Sequence, residues 1–458
     1  MTLQHTEHFV ADYYALESQV RAYSRSWPVT FARASGDLLY ASSGDAYLDF
    51  FMGAGALNYG HNDPRLRDPL VAYLTADGVV HSLDMMTEAK AAFLRSLRDV
   101  VLGPRGLDYV VQFTGPTGAN AVEAALKLAR KVTGRPSVAA FTRGFHGMSL
   151  GALAVTANAA WRTGAGVPLD HVLRLPYEGF GAHEVSGLDL LEDLIEDPGS
   201  GVDLPAAVIV ETLQGEGGIN PAGARWLRRL AGLCGRAGLL LIVDDIHAGC
   251  GRTGPFFSFE DAGITPDIVC LSKSLSGYGL PMAVTLFRRE FDVWLPGEHS
   301  GTFRGNNPAF VTASAALHAY WSTDELTKST GKKSELVSAH LDALCARHSA
   351  FGATYRGRGL LWGLAFDDRS VAEKVSTTAF ENGLLVETAG ARGEVVKLSP
   401  SLLISPTHLA QGLAILEDAV DKVAARRRTS RRGCSKELGQ QTTDPRATSR
   451  FESVPPVG

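Results

Sequence analysis

Cysteine is scarce in this chain and follows no pairing pattern. The 458 residues include five cysteines, and no two of them form a CxxC pair. An odd number of scattered thiols argues against a disulfide framework and favours reduced cysteines in a cytoplasmic protein. The cysteines are Cys234, Cys250, Cys270, Cys345 and Cys434.

Long hydrophobic runs and a strong charge of either sign are also missing. No uninterrupted apolar run approaches the roughly 18 residues that span a membrane, and the N-terminus lacks the basic and apolar regions of a signal peptide. The net charge is only -5, so neither a nucleic-acid partner nor a membrane partner is predicted. With 45% hydrophobic and 20% charged residues, the chain has an ordinary globular composition. Its length predicts two domains, or one large domain with a satellite.

The middle of the chain alternates short apolar runs with helical stretches, of which 119–132 and 222–237 are the clearest. The apolar runs are continuous, as expected for strands that are buried on both faces. This alternation predicts an α/β fold with a mostly parallel sheet that is flanked by helices. The predicted strands are 109–113, 137–141, 206–210, 239–243 and 268–271.

The pattern changes from about Ser322, where a helix at 325–348 precedes short strands near 363–366 and 395–398. We expect a second, smaller α+β unit here, completed by the residues before about Asn58. The basic run that begins at Arg426 is typical of a solvated, disordered terminus, although a basic tail can also contact acidic partners. The predicted division is 1–57 and 322–424 for the small domain, 58–321 for the large domain and 425–458 for the tail.

Polar side chains gather where the predicted strands end. Lys273 and Asp244 each end a buried apolar run, and Glu211 and the residues 145–147 follow two others. Sheets of this kind bind ligands at the carboxyl ends of their strands, so these residues predict a site. The lysine is suited to hold an aldehyde cofactor as a Schiff base. The aspartate is suited to keep the cofactor's ring nitrogen protonated.

A run of small residues at 114–120 leads into the helix near 119–132. Free backbone N–H groups and the helix dipole at such a helix start favour an anion. The run matches neither the GxxxxGK[ST] loop nor GxGxxG, so it predicts a phosphate site without predicting a nucleotide. Glycine-rich loops at 214–218 and 249–254 either admit a ligand or simply end their strands.

Together these motifs resemble the class III, fold-type I pyridoxal-phosphate aminotransferases, from about Tyr13 to about Val423. The strings FTGPTGANAVEAALKLARKVTGR and GITPDIVCLSKSLSGYGLPMA are similar to the diaminobutyrate–2-oxoglutarate branch of ectoine biosynthesis. The resemblance implies that the large domain binds pyridoxal 5'-phosphate. It also implies a homodimer, or a dimer of dimers, with active sites at the interface.

The resemblance assigns roles to individual residues. Lys273 would be the Schiff-base lysine and the base for the 1,3-proton transfer, and Asp244 would bind the pyridinium nitrogen. Phe145 would stack on the cofactor ring, and Glu211 matches a glutamate near cofactor and substrate. The phosphate would be held by Thr117, Gly118, Ala119 and, across the dimer interface, Thr302.

Three further residues would tune the cofactor and choose the substrate. His247 stands where the family usually has a glutamine that donates to the ring hydroxyl, and a neutral histidine can make the same donation. Glu216 would pair with Lys397, which replaces the arginine of related ω-aminotransferases. When freed, Lys397 would bind the carboxylate of 2-oxoglutarate, without the bidentate fork of arginine.

The implied reaction moves the amine of L-glutamate reversibly to L-aspartate 4-semialdehyde, giving L-2,4-diaminobutyrate and 2-oxoglutarate. No metal is predicted. The scaffold alone leaves other activities open, because related folds host different chemistry. These are an ω-aminotransferase for another diamine or semialdehyde, an aminomutase or racemase, and a non-catalytic homologue.

Overall fold

The computed structural model describes residues 12–181 and 186–440, with side chains as far as 426. Its centre is a seven-stranded sheet in which Val284–Arg288 runs antiparallel to both neighbours and the other pairs are parallel. The predicted mostly parallel α/β sheet is therefore confirmed. In spatial order the strands are Tyr109–Phe113, Val284–Arg288, Ile268–Leu271, Leu240–Asp244, Ala207–Val210, Val138–Phe141 and Val172–Leu175.

The central strands are apolar because both of their faces are buried. Every residue of Leu240–Asp244 and of Ala207–Val210 is buried, as the continuous apolar runs predict. The five predicted strands agree with the observed bounds to within one residue. Val172–Leu175 and Val284–Arg288 have no counterpart among the predicted strands.

Helices pack against the large sheet and against the smaller sheets. Gly118–Thr133 places a face of alanine, valine and leucine against the core. Among the described residues, no helix combines the length and the apolar character that a membrane crossing requires. The longer helices are Pro64–Thr75, Glu88–Ser96, Gly118–Thr133, Gly187–Glu196, Ala224–Ala237, Asn307–Trp321, Glu325–Arg347, Arg369–Glu381 and Pro406–Gln440. Short helices lie at Tyr23–Ser26, Met52–Gly55, Leu150–Val155 and Ala159–Arg162.

Two smaller four-stranded sheets complete the fold, and one of them combines strands from the N-terminal and C-terminal parts of the chain. Leu384 pairs with Leu48 in parallel register, so the N-terminal strands share a sheet with the C-terminal region. Such pairing is what the predicted small domain requires, since that domain combines the residues before about Asn58 with those after about Ser322. The domain boundaries themselves stay a prediction. The first sheet contains Phe31–Ser35, Leu38–Ala41, Ala46–Asp49 and Leu384–Leu385. The second contains Thr354–Arg358, Leu361–Ala365, Val395–Leu398 and Glu387–Ala389, and a small hairpin joins Leu213–Gln214 to Asn220–Pro221.

The last helix, Pro406–Gln440, continues past residue 425, where the sequence predicts a disordered tail to begin. Arginine, which is frequent just after this point, has high helix propensity, so the helix continues through it. For 425–440 the structure thus differs from the expected disorder. The rest of the tail, 441–458, lies outside the described residues.

Arg252 joins these parts of the chain at one buried point. Its side chain is fully buried, and Nε and Nη2 both donate to Asn58 Oδ1, at 3.1 and 2.6 Å. Nη1 donates to the carbonyl oxygens of Leu360 (3.0 Å) and Pro400 (2.5 Å). Burial lowers the pKa of the guanidinium to about 9. This buried cation, bonded only to neutral acceptors, thus ties the loop after Leu240–Asp244 to Asn58 on one side and to Leu360 and Pro400 on the other.

Arg252→Met is expected to lower the free energy of unfolding by about 3 to 5 kcal/mol, because it leaves several buried acceptors without a donor. The measurement is urea unfolding followed by circular dichroism. Arg229→Met is the matched control. Arg229 is 41% exposed and pairs with Asp189 and Glu192 at the surface, so its loss should cost about 1 kcal/mol or less. Equal effects of the two substitutions would contradict the role of Arg252.

Candidate active site

A cavity of about 160 Å³ lies at the carboxyl ends of the central strands. Asp244 ends Leu240–Asp244, and Glu211 directly follows Ala207–Val210. The topology therefore brings most of the predicted strand-end residues to one place, as parallel strands require. The cavity is lined by Gly118, Ala119, Phe145, His146, Gly147, Glu211, Glu216, Asp244, Ile246, His247 and Lys273.

Lys273 is held in a backbone conformation that few residues other than glycine adopt, with φ at +48°. The serines on either side fix it. Ser272 Oγ donates to the Met282 carbonyl at 2.8 Å, and Ser274 Oγ donates to the Gly55 carbonyl at 2.8 Å. Such left-handed backbone costs on the order of 1 kcal/mol and persists where the surroundings enforce it. Burial lowers the pKa of the Lys273 amine, which makes its neutral, nucleophilic form more accessible.

Asp244 is oriented by His146, which belongs to the predicted strand-end residues 145–147 but has no role of its own in the sequence-based site. Asp244 Oδ2 accepts a hydrogen bond from His146 Nδ1 at 2.7 Å, and Oδ1 accepts one from the Ile246 N–H at 3.2 Å. The backbone N–H of His146 donates to Thr156 Oγ1 at 2.9 Å. His146 directly follows Phe145 in the loop after a central strand, and that position is the signal that marks it in the sequence.

The neighbouring acid, Asp245, faces away from the cavity. Ser258 donates to it twice, from its backbone N–H to Oδ2 at 3.1 Å and from its hydroxyl to Oδ1. Burial raises the pKa of Asp245 to about 7. Because successive side chains at a strand end point to opposite sides, only Asp244 is available to a bound molecule.

Glu211 closes another side of the cavity. Its Oε2 accepts the Phe145 N–H at 2.9 Å, and its Oε1 accepts the Gly215 N–H at 3.2 Å. Burial raises the pKa of Glu211 to about 7. The carboxylate thereby holds the loop that carries Phe145 against the loop that leads to Glu216.

The predicted contact between Glu216 and Lys397 is present, and a second carboxylate joins it. Lys397 Nζ lies 2.5 Å from Glu216 Oε1 and 2.8 Å from Glu387 Oε1. Glu387 Oε2 also accepts a hydrogen bond from the Tyr23 hydroxyl at 3.1 Å. Burial disfavours the charge of Lys397, but Glu216 and Glu387 outweigh burial and raise the pKa of that amine. Lys397 is therefore an ammonium ion between two carboxylates.

Thr117 and Thr302 do not line the cavity of their own chain. Thr117 is exposed at the start of Gly118–Thr133, where its N–H and its hydroxyl donate to Asn120 Oδ1 at 3.2 and 2.9 Å. Thr302 is also exposed, and its carbonyl accepts from His81 Nε2 at 2.6 Å. The helix start itself, at Gly118 and Ala119, does line the cavity.

His247 has an unpartnered buried nitrogen. Its Nε2 makes no hydrogen bond to any described residue. Two glycines leave room for the ring, since a Cβ on Gly215 would lie 2.4 Å from Nδ1 and one on Gly55 would lie 3.0 Å from Nε2. Burial lowers the pKa of His247 far below its usual value, and Lys273 lowers it further. The ring is therefore neutral near pH 7, with one donor and one acceptor nitrogen.

The family model described as Aminotransferase class-III matches residues 20–420. The chain belongs to the class III aminotransferases. It is 60% identical over 409 residues to the diaminobutyrate–2-oxoglutarate transaminase of Nocardia farcinica, covering 89% of this chain and 93% of that protein. It is 55% identical over 401 residues to the protein of the same name from Vibrio cholerae, covering 88% and 97%.

Solved class III aminotransferases share its fold. The ornithine aminotransferase from Toxoplasma gondii, whose structure is described as having PLP at the active site, is 27% identical, with a TM-score of 0.78 over 92% of this chain and 96% of that chain. An S-selective transaminase from Arthrobacter sp. with alanine bound is 25% identical, with a TM-score of 0.80 over 92% and 98%. The expected fold-type I architecture is confirmed.

The cofactor of this aminotransferase is pyridoxal 5'-phosphate, and the donor set of the cavity fits it. The aldehyde requires a primary amine, which Lys273 would supply, and the ring nitrogen requires a carboxylate, which Asp244 would supply. A helix start at Gly118 suits the phosphate. The buried, unpartnered Nε2 of His247 leaves a neutral imidazole with unused bonding capacity beside the cavity.

His247→Gln is expected to keep kcat within about threefold of the wild type, because the amide can make the single donation to the cofactor's ring hydroxyl that is predicted for His247. Since burial lowers the pKa of His247 far below its usual value, the ring is already neutral where a histidine ordinarily titrates. The acidic limb of the kcat/KM profile should therefore not move. The control His247→Leu cannot donate and should lower kcat about tenfold or more. A displaced acidic limb in His247→Gln would contradict a neutral histidine.

Proposed function

We propose that this aminotransferase moves the amine of L-glutamate to the terminal carbon of L-aspartate 4-semialdehyde, reversibly, giving L-2,4-diaminobutyrate and 2-oxoglutarate. The observation that carries the proposal is the name shared by its relatives. Proteins named diaminobutyrate–2-oxoglutarate transaminase are 53% to 60% identical over 89% of this chain. Ectoine biosynthesis, the pathway that the resemblance suggests, stays a prediction.

Lys273 and Asp244 have the central roles in this proposal. When bound, pyridoxal 5'-phosphate withdraws electrons from the substrate carbon that bears the reacting amine. Lys273 Nζ would hold the cofactor through its aldehyde carbon until the substrate amine takes its place, and the freed Lys273 amine would then act as the base for the 1,3-proton transfer. Asp244, oriented by His146, keeps a proton on the ring nitrogen. The lowered pKa of Lys273 suits an amine that must release and accept a proton repeatedly.

The remaining residues of the cavity position the cofactor. Phe145 is proposed to lie against the ring, and His247 donates to the ring hydroxyl. The backbone N–H groups at Gly118 and Ala119 bind the phosphate, with Thr117 beside them. Glu211 Oε2 accepts the Phe145 N–H at 2.9 Å and so fixes the loop that carries Phe145. The Phe145 side chain then keeps the cofactor ring in its productive orientation.

The Glu216–Lys397 pair is proposed to act as a switch for the two substrates. Lys397→Ala should raise the apparent Kd of 2-oxoglutarate at least about tenfold, because it removes the cation that is proposed to bind the distal carboxylate of 2-oxoglutarate. Lys397→Arg, which keeps the charge, should retain most of the affinity. Titration of the amine-loaded enzyme with 2-oxoglutarate measures both variants. An unchanged affinity in Lys397→Ala would defeat the switch.

We also propose a homodimer in which Thr302 reaches the phosphate in the cavity of a second copy. Thr302 is exposed beside Phe303, which is 65% exposed, and near the loop that carries Met85 and Met86, which are 59% and 100% exposed. Arg304 bonds Asp84 and thereby joins the two segments. Exposed apolar side chains grouped around such a residue favour an interface. A monomeric mass in analytical ultracentrifugation would contradict it.

A cytoplasmic location is part of the proposal, because Cys234, Cys250, Cys270 and Cys345 are free thiols, as reduced compartments maintain.

A half-reaction panel tests the substrate. The purified enzyme is mixed with single amines, and the cofactor absorbance is followed. L-2,4-Diaminobutyrate and L-glutamate should convert the cofactor completely, and L-ornithine and L-lysine much more slowly. Faster conversion by a longer diamine would favour another ω-aminotransferase activity.

A further inference from the structure

Lys397 has one positive charge and two carboxylate neighbours. It is completely buried, and its Nζ lies within 2.8 Å of both Glu216 and Glu387. Glu387 and Lys397 are directly opposed in the antiparallel pair of Glu387–Ala389 with Val395–Leu398, so the backbone register enforces their contact. The group therefore contains one more acidic side chain than the lysine can neutralise.

The two carboxylates differ in what they face. Glu216 lines the cofactor cavity, and its side chain is 22% exposed. Glu387 lies behind Lys397, 6% exposed, with Tyr23 bonded to its Oε2. Its Oε1 forms the ion pair with Lys397 and accepts no other hydrogen bond from the described residues. Lys397 is thus shared, and the carboxylate on the cavity side is only partly compensated.

The electrostatics of the group agree with a surplus of negative charge. Burial raises the pKa of Glu387, and the negative charge of Glu216 also raises it, so that Lys397, which lowers it, does not bring the pKa back to its usual value. Burial also opposes the charge of Glu216, but Lys397 and Lys273 outweigh burial and lower the pKa of Glu216. A further cation placed beside Glu216 would offset the repulsion between the two carboxylates.

We propose that Glu387, by sharing Lys397, leaves Glu216 enough negative charge to bind a second ammonium group on the substrate. This inference rests on the proposed function. The amine of 2,4-diaminobutyrate that reacts is terminal, so the α-ammonium group lies at the other end of the molecule, where Glu216 meets it. Glutamate carries only a carboxylate at its non-reacting end. Glu387 is thus a positioning residue that selects the diamino acid.

Two amines of equal chain length isolate this contact. L-2,4-Diaminobutyrate and 4-aminobutyrate both present a terminal amine and a carboxylate, and only the first has an α-ammonium group. The wild-type enzyme should prefer diaminobutyrate in kcat/KM by at least about 100-fold. Glu387→Gln, which keeps the shape and removes the charge, should reduce this preference at least about tenfold.

The kinetic constants distinguish selection from a structural role. In Glu387→Gln the KM for diaminobutyrate should rise while its kcat stays within about threefold, and the KM for glutamate should stay constant or fall. Glu387→Asp, which keeps the charge, should retain the preference. Equal losses with diaminobutyrate, 4-aminobutyrate and glutamate would overturn the proposal.

The wild-type comparison needs no variant. If the enzyme reacts with both amines equally well, the inference about Glu387 is wrong and the proposed function survives. If the enzyme does not react with diaminobutyrate at all, the proposed function fails first.

Discussion

Lys273→Ala is expected to lower kcat for transamination at least about 10⁴-fold, because the proposed nucleophile and the proposed proton carrier are the same amine and are lost together. Among the described residues that line the cavity, Lys273 has the only primary amine. Lys397 cannot replace it, since Lys397 is fully buried between Glu216 and Glu387. The rate is measured in single turnovers with L-glutamate, and the cofactor absorbance of the purified variant should resemble that of the free aldehyde.

Two variants control this result. Lys273→Arg keeps a positive charge without an amine nucleophile and should be as inactive as the alanine variant. Lys422→Ala removes an exposed lysine that pairs with Asp418 on the last helix, and its kcat should equal that of the wild type. If Lys273→Ala kept more than about a tenth of the wild-type kcat, the proposed catalytic role of Lys273 would be wrong.

Asp244→Asn is the second large effect, with kcat expected to fall at least about 10³-fold. The amide cannot hold a proton on the ring nitrogen as a carboxylate does, and it also deprives His146 of its carboxylate at 2.7 Å. The measurement is the single-turnover rate with saturating cofactor, so that weaker cofactor binding does not imitate the effect.

Asp245→Asn provides a matched comparison one residue away. Asp245 bonds Ser258 and does not line the cavity, so its kcat should stay within about tenfold of the wild type. Comparable losses of kcat in the two variants would mean that disturbing the end of the strand, rather than losing the Asp244 carboxylate, causes the fall in kcat.

The large sheet was predictable because its strands are continuous apolar runs that end in polar residues. Burial on both faces produces that pattern directly, and the observed bounds of Leu240–Asp244 differ from the predicted ones by one residue at each end. Val284–Arg288 is not among the predicted strands. It is the antiparallel member of the sheet, and composition alone does not specify the direction of a strand.

The less predictable part of the site depends on register and on loops. Glu387 contacts Lys397 only because the two residues are opposed across antiparallel strands, and register cannot be read from a short run such as 384–389. His146 contacts Asp244 across a sequence separation of 98 residues. Roles that depend on one strand end, such as those proposed for Lys273 and Asp244, are visible locally, whereas the partners that tune them are not.

The most direct test of the proposed function is product stoichiometry in two separate half-reactions. The enzyme with bound cofactor is mixed with L-glutamate alone, the 2-oxoglutarate released is quantified, and the desalted enzyme is then given L-aspartate 4-semialdehyde. One 2-oxoglutarate and then one L-2,4-diaminobutyrate per active subunit is the predicted result. If no 2-oxoglutarate is released, or if the semialdehyde is returned unchanged, the enzyme is not the transaminase proposed here.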